Sequence, residues 1–293
     1  MGPSDIGSRV LDGAAAGRRA GHMVNQAGEK REPDAVDTTT PDVSRVYGYF
    51  LGEKENHPAD RAAADQLSRV WSDVGMSCRA SRAFVLRATE YATSKGVRQI
   101  IDMGCGIPTK LSDNVHEVAQ RVLPAARVVY ADKNPLVRRH CARDLAGVDG
   151  CTYVHHDFLD GAALYEQPRV RDHLDLTEPV TLLLGNLLHF VPGEIAYTVV
   201  ADLVRPLAPG SRLVIASIAS DLRPALMEEA MAHYSGRVTT SFARSRTEIE
   251  RFFDGLTLEE PGVVTPPQWH SDPGDVIPPP QQVCTWAAVG VVG

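Results

Sequence analysis

The sequence predicts an α/β protein: a seven-stranded, mostly parallel sheet with an antiparallel last strand, helices on both faces and a helical segment in front. Three observations predict it. From Val97 onward, short apolar runs alternate with stretches of helical period, the pattern of a parallel sheet covered on both sides. Early runs end in glycine or an acid, at Asp102-Met-Gly104, Asp132 and Asp157, as strands do when their carboxyl ends face a ligand. Residues 261–282 hold seven prolines, so the last two runs are joined by an extended loop and pair antiparallel.

Taken in order, residues 43–96 read as a helical cap. Ala59–Trp71 is alanine-rich behind Pro58, and Ala80, Phe84, Ala88 and Tyr91 recur at helical spacing. Strands follow near 98–103, 127–131, 152–155, 180–185, 211–217, 256–260 and 283–291. Between them, Val115, Val118, Ala119 and Val122 form an apolar helical stripe, with Asp113 near its start and Glu117 four residues before Arg121. Pro192-Gly193-Glu194 opens another helix, and Leu207-Ala-Pro-Gly210 turns into the fifth strand. Ser245-Arg-Thr-Glu248 is a capping box for a last helix that Gly255 ends.

Composition narrows the function. A formal net charge of −7, with arginines scattered rather than clustered, disfavours a nucleic-acid partner. The five cysteines are odd in number, widely spaced and without a CxxC pair, which suits reduced thiols in a cytoplasmic protein and neither a zinc site nor a disulfide framework. No apolar run approaches the roughly 20 residues that cross a bilayer, so no membrane partner is expected. Gly21-His22-Met23 has the look of a vector-derived junction, and residues 1–42 are expected to be a disordered leader. The expected division is therefore leader 1–42, helical cap 43–96 and catalytic domain 97–293.

The strand ends carry the chemistry. Glycines at 104 and 106 permit positive φ and close approach of backbone N–H groups to a ligand, with Cys105 between them. A dinucleotide fingerprint would place a third glycine where Thr109 stands, and Pro108 disturbs the helix start that would hold a pyrophosphate. Asp132 can accept both hydroxyls of a ribose, the alternative being a helix N-cap ahead of Pro135. Asp157 and Phe158 can hydrogen-bond and stack a purine, while the adjacent His155 and His156 point to opposite faces and do not form a metal pair.

Asp102–Gly106, Asp132, Asp157 and Leu182–Pro192 together resemble a class I S-adenosylmethionine-dependent methyltransferase. Ser44–Arg61, Asn114–Gln120 and Leu188-His-Phe-Val-Pro192 are similar to an actinobacterial group of these enzymes once classed as a domain of unknown function, the S-adenosyl methyltransferase family 19 type. The likeness spans about residues 43–290. It implies a Rossmann-like sheet, S-adenosylmethionine as cofactor and an N-terminal segment folded over the cleft. By position it implies a cofactor turn at Asp102, Gly104, Cys105 and Gly106, a ribose acid at Asp132 beside Lys133, and adenine contacts at Asp157 and Phe158. The cap departs from the group's pattern at Gly48, Glu53 and His57, so the substrate is not inherited.

Transfer of a methyl group from a sulfonium is an in-line displacement that needs alignment and exclusion of water, and a base only if the acceptor must lose a proton. His189, Glu53 and Tyr47 are the candidate catalytic residues; His189 and Glu53 read equally well as a packing histidine and a surface glutamate. Asn186 lacks the Pro-Pro-aromatic continuation of amino-methylating enzymes and is assigned to the cofactor or the cleft wall. The expected acceptor is a small molecule of secondary metabolism, an indole carbon C3 in particular, with O- or N-methylation of another small molecule as the alternative. A non-catalytic cofactor-binding protein and a nicotinamide-dependent oxidoreductase are the competing readings. A homodimer is compatible with the sequence.

Overall fold

The computed structural model describes residues 37–293, so the expected leader lies outside the described residues up to position 36. Three helices come first: α1 (Val43–Leu51), α2 (Pro58–Val70) and α3 (Val74–Ser94). The alternating part follows as β1 (Gln99–Met103), α4 (Val115–Val122), β2 (Arg127–Asp132), α5 (Pro135–Asp144), β3 (Cys151–His155), α6 (Pro168–Arg171), β4 (Val180–Gly185), α7 (Gly193–Val204), β5 (Arg212–Ile218) and α8 (Pro224–Ser235). The chain closes with α9 (Arg246–Glu250), β6 (Thr257–Leu258), α10 (Pro280–Val283) and β7 (Thr285–Val291).

The sheet order is β3-β2-β1-β4-β5-β7-β6. β1 to β5 run parallel, and β7 is antiparallel to both β5 and β6. The chain winds outward from β1 through β2 and β3, then returns to the other side of β1 for β4. The loops after β1 and β4 therefore diverge and leave a crevice beyond the strand ends.

Strand alternation decides what each face buries. Ile101, Met103, Val129, Leu182 and Leu184 point to one side and pack with Ala196, Val200 and Leu203 of α7. Ile100, Val128, Tyr130 and Leu183 point to the other and meet Phe84, Val85 and Ala88 of α3 together with Val115 and Ala119 of α4. The C-terminal half of α3 thus belongs to the helical layer of the sheet. α1 and α2 instead share a third apolar cluster with α8, joining Val46, Phe50, Leu67 and Trp71 to Met227 and Met231.

α1 starts because the Asp42 carboxylate accepts from the N–H groups of Ser44 and Arg45 at 2.9 and 3.3 Å, and it stops at Gly52 with φ 92°. Asp60 of α2 is fully buried and accepts from Arg45 Nε at 2.7 Å and from the N–H groups of Asp42 and His57 at 2.9 and 2.7 Å. Burial pushes this carboxyl upward, but Arg45 and the two N–H groups outweigh burial and hold it below the usual aspartate range.

Two sequence expectations shift at the C-terminal end. β6 contracts to two residues, and β7 begins at Thr285 because Val283 closes a short helix and Cys284 takes φ 46°. The proline-rich segment is firmly attached. Trp269 within it is fully buried, meets Phe84 edge-on at 5.3 Å between ring centroids, and has its carbonyl held by Arg87 Nε at 3.2 Å.

Candidate functional site

The turn after β1 shows why glycine is required at two positions for different reasons. Gly104 has φ 69°, and a Cβ there would come within 2.8 Å of Leu187 Cδ1. Gly106 has φ 66°, but a Cβ there would meet nothing within 4 Å, because the space beside it is open. The N–H of Gly106 donates to Asp132 Oδ2 at 3.0 Å, and that of Asn134 donates to Oδ1 at 2.8 Å. Asp132 is therefore already aimed at the glycine turn. The N-cap of α5 is Asn134, whose side chain accepts from Leu136 N at 2.9 Å, which leaves Asp132 free of that task.

Beyond β2 and β3, Lys133 Nζ lies 3.1 Å from Asp157 Oδ2, while Asp157 Oδ1 accepts from Leu159 N at 3.1 Å. Phe158 is buried at the rim of the apolar core. His156 is spent on structure, with one ring nitrogen 3.3 Å from Gly161 O and the other 3.0 Å from Gln167 Nε2. The glycine turn does not run into a helix, since α4 begins only at Val115. The loop between is closed by Thr109, whose N–H donates to Asn114 Oδ1 at 2.9 Å. Among the described residues no helix N-terminus stands where a pyrophosphate would need one.

Asp102, at the end of β1, is buried, and its carboxyl is pushed up to about 6 by burial, with the Arg82 charge opposing the rise. Arg82 projects from α3; its Nη2 donates to Asp113 O at 2.8 Å, and its Nε is buried without a hydrogen-bond partner among the described residues. Asn186 sits at φ 56°, a costly conformation outside glycine, with its N–H held by Ala216 O at 2.9 Å and its Nδ2 3.4 Å from Tyr47 Oη. Burial raises the Tyr47 hydroxyl well above the usual tyrosine range, so it stays protonated and cannot serve as a phenolate base.

His189 is 5% exposed, lies in the short 3-10 turn Leu188–Phe190, and its Nδ1 has no hydrogen-bond partner. Burial, helped by the Arg244 charge, pushes the imidazole down to about 3, so it is neutral at working pH. Arg244 braces this turn by donating to Leu188 O and Val191 O, both at 2.6 Å.

Glu53 is placed differently from what the sequence predicts for it. Its Oε1 accepts from the N–H groups of Lys110 and Leu111 at 2.9 and 3.0 Å, and it lines a small recess outside the main cavity. The carboxylate fastens the loop after the glycine turn, because the αL end of α1 at Gly52 directs the following residue toward that loop. Glu53 and His189 do not flank one cleft.

The other predicted residues meet in one cavity of about 540 Å3, which Asp102, Gly104, Cys105, Gly106, Asp132 and Lys133 line at one end. Asp157 and Phe158 line it as well, and Tyr47, Asn186 and His189 line its middle. Val46, Phe50, Leu67, Trp71, Ile218 and Met231 line its inner part. Sequence reasoning missed Arg82, Trp71, Ser241 and Arg244. Arg82 and Trp71 carried only helix signals, and Ser241 and Arg244 lie on an irregular segment with no pattern to read.

The open space at Gly106, the preset Asp132 and the Asp102 and Arg82 side chains on the same lining fit a nucleoside carrying an amino-acid tail. The comparisons agree. The S-adenosyl methyltransferase family model matches residues 29–293. A DUF574 family protein from Streptomyces avermitilis is 37% identical, with 88% of this chain and 99% of that one covered and a TM-score of 0.82. A candidate methyltransferase from Thermobifida fusca is 32% identical, with 87% and 96% covered and a TM-score of 0.82. A comparison with curated proteins finds no match. The chain belongs to the S-adenosyl methyltransferase family and is an S-adenosylmethionine-dependent methyltransferase.

Proposed function

We propose that this enzyme methylates a small-molecule acceptor bound in the inner part of the cavity, with α1 and α2 as the cap over it. The observation that carries the reading is the continuity of one cavity from the strand ends to an apolar chamber, with Asn186 and His189 between the two. In this reading Asp132 holds the ribose, Gly104–Gly106 approach the cofactor with their backbone, Asp157 and Phe158 contact the adenine beside Lys133, and Asn186 fixes the methionine end. Asp102 and Arg82 offer the charges that complement an ammonium and a carboxylate.

S-adenosylmethionine, when bound, supplies a methyl group on a positively charged sulfur. An indole carbon, C3, is the acceptor we single out, with oxygen and nitrogen acceptors as the alternative. As the new C–C bond forms and the C–S bond breaks, the ring nitrogen becomes cationic and its N–H acidic. A weak base then suffices, and the neutral His189 imidazole takes that proton on its way to water. The protonated Tyr47 acts as a positioning donor rather than a base.

Calorimetry with S-adenosylhomocysteine, followed by transfer of labelled methyl to indole and non-indole acceptors, tests this. We expect cofactor-product binding and label on an indole carbon. Binding of NAD in its place would overturn the whole reading, and label on oxygen or nitrogen acceptors only would overturn the indole assignment. Product binding with no transfer to any acceptor would favour a non-catalytic role.

A further inference from the structure

The cavity divides by charge along its length. Asp102, Asp132, Lys133, Asp157 and Arg82 all belong to the strand-end portion. The inner portion is formed by the lining residues that come from α1, α2, the start of α3, the end of β5 and α8; these include Val46, Phe50, Leu67, Val74, Ile218 and Met231, and among the described residues none of this set is Lys, Arg, Asp or Glu. A charged ligand group moved there would lose its hydration with no ionic partner to replace it.

The same portion carries unsatisfied polar atoms. Trp71 is 1% exposed, lines the cavity, and its Nε1 has no hydrogen-bond partner among the described residues; Ser241 also lines it, with a buried Oγ equally unpartnered among them. Ser77, also on the lining, is engaged, its Oγ 2.8 Å from Thr285 Oγ1. An indole N–H can only donate, so it calls for an oxygen or nitrogen acceptor. Left bare, such a group is destabilising, a penalty that a phenylalanine of similar bulk would avoid.

We propose that the inner portion binds an uncharged, flat aromatic acceptor carrying a hydrogen-bond-accepting oxygen, which Trp71 Nε1–H and the Ser241 hydroxyl hold. This rests on the methyltransferase reading above and deepens it. An ammonium or carboxylate side chain on the same ring is excluded by the wall chemistry, so tryptamine and free amino acids are poor acceptors. Trp71 here is a specificity-determining residue, and His189 keeps its place at the junction with the cofactor.

The test uses the full chain loaded with S-adenosylhomocysteine and two charge series on fixed rings: indole-3-acetamide, tryptamine and indole-3-acetate, and the matching naphthalene amide, amine and acetate. Calorimetry should show the amides binding at least about tenfold more tightly than the charged members. Equal or tighter binding of an amine or carboxylate, or no binding of either amide, overturns the proposal. Trp71→Phe should weaken the amides about tenfold while leaving unsubstituted indole and naphthalene unchanged. Loss of both to the same extent, or of neither, removes Trp71 from recognition. Failure of the cofactor reading would show separately, as no heat with S-adenosylhomocysteine. The two series are then run on the free protein, where the same ranking is required.

Discussion

The two ends of the cavity are built by different means. At the strand end the polar groups are set by backbone: Asp132 is held by the N–H groups of Gly106 and Asn134, and Asp157 by that of Leu159. At the inner end the walls are mostly side chains of helices, joined through the cluster of Val46, Phe50, Leu67 and Met231, with Ile218 from the end of β5 packed against them. The difference teaches that the polar strand-end groups are tied to sheet topology, while the apolar inner walls depend on how α1, α2 and α8 are fastened together. Polar fastenings are concentrated near the two ends of α1, where Glu55 also pairs with Lys110, His140 and Arg143. Asp42 Oδ2 accepts from Asn134 Nδ2 at 2.8 Å at one end of α1, and Glu53 holds residues 110 and 111 at the other.

The most disruptive way to separate the two ends is Arg45→Met. Asp60 would be left buried without its cation, and urea unfolding should show a loss of about 3–5 kcal/mol, or earlier melting of the N-terminal helices. A change under about 1 kcal/mol would mean that the Arg45–Asp60 pair does not anchor the cap. Next in size, Asp132→Ala should weaken S-adenosylhomocysteine about a hundredfold in calorimetry, through the loss of charge-assisted hydrogen bonds to a ribose. Amide acceptors should bind this variant as before, and equal loss of both ligands would erase the distinction between the ends.

Titration separates the ends by sign. The Asp102 carboxyl is raised by burial to about 6, so the folded free protein binds that proton more tightly than the unfolded chain. Its contribution is therefore present in acid and is lost as pH climbs from about 4 through about 6. Asp60 is held below its usual range, so its contribution is present above about 4 and is lost as pH falls through the lowered value. Unfolding curves of Asp102→Asn between pH 4 and 7 should lack the loss on the rising side, and an unchanged slope would count against a buried Asp102 carboxyl. The smallest effect expected is that of Glu53→Gln. The rate of methyl transfer should stay within about twofold and cofactor affinity should fall only a few-fold, since a loop contact is weakened and no base is removed. A drop of a hundredfold in rate would return Glu53 to the chemistry.

Much of the fold is legible in the residues. Alternation of short apolar runs with helical stripes marks the strand sequence, and β1 to β5 fall within a residue or two of the predicted spans. Glycines at 104 and 106, followed by Asp132 and Asp157, mark strand ends because only backbone geometry and short acids serve there. The limits fall where contacts are distant in sequence. Glu53 looks like a cleft residue until Lys110 and Leu111, more than fifty positions away, are seen to claim it. Trp269 looks like part of a loop until Phe84 is found beside it.

By itself the sequence determined the strands and a glycine turn unsuited to a pyrophosphate, since these follow from local period, propensity and steric demand. Only the tertiary structure decided that His189 is a neutral buried imidazole and Tyr47 a protonated phenol, and that Arg82, Trp71 and Ser241 face the same cavity. Burial, and with it the charge state of a side chain, is set by what other segments bring alongside it, and no window of neighbouring residues contains that information.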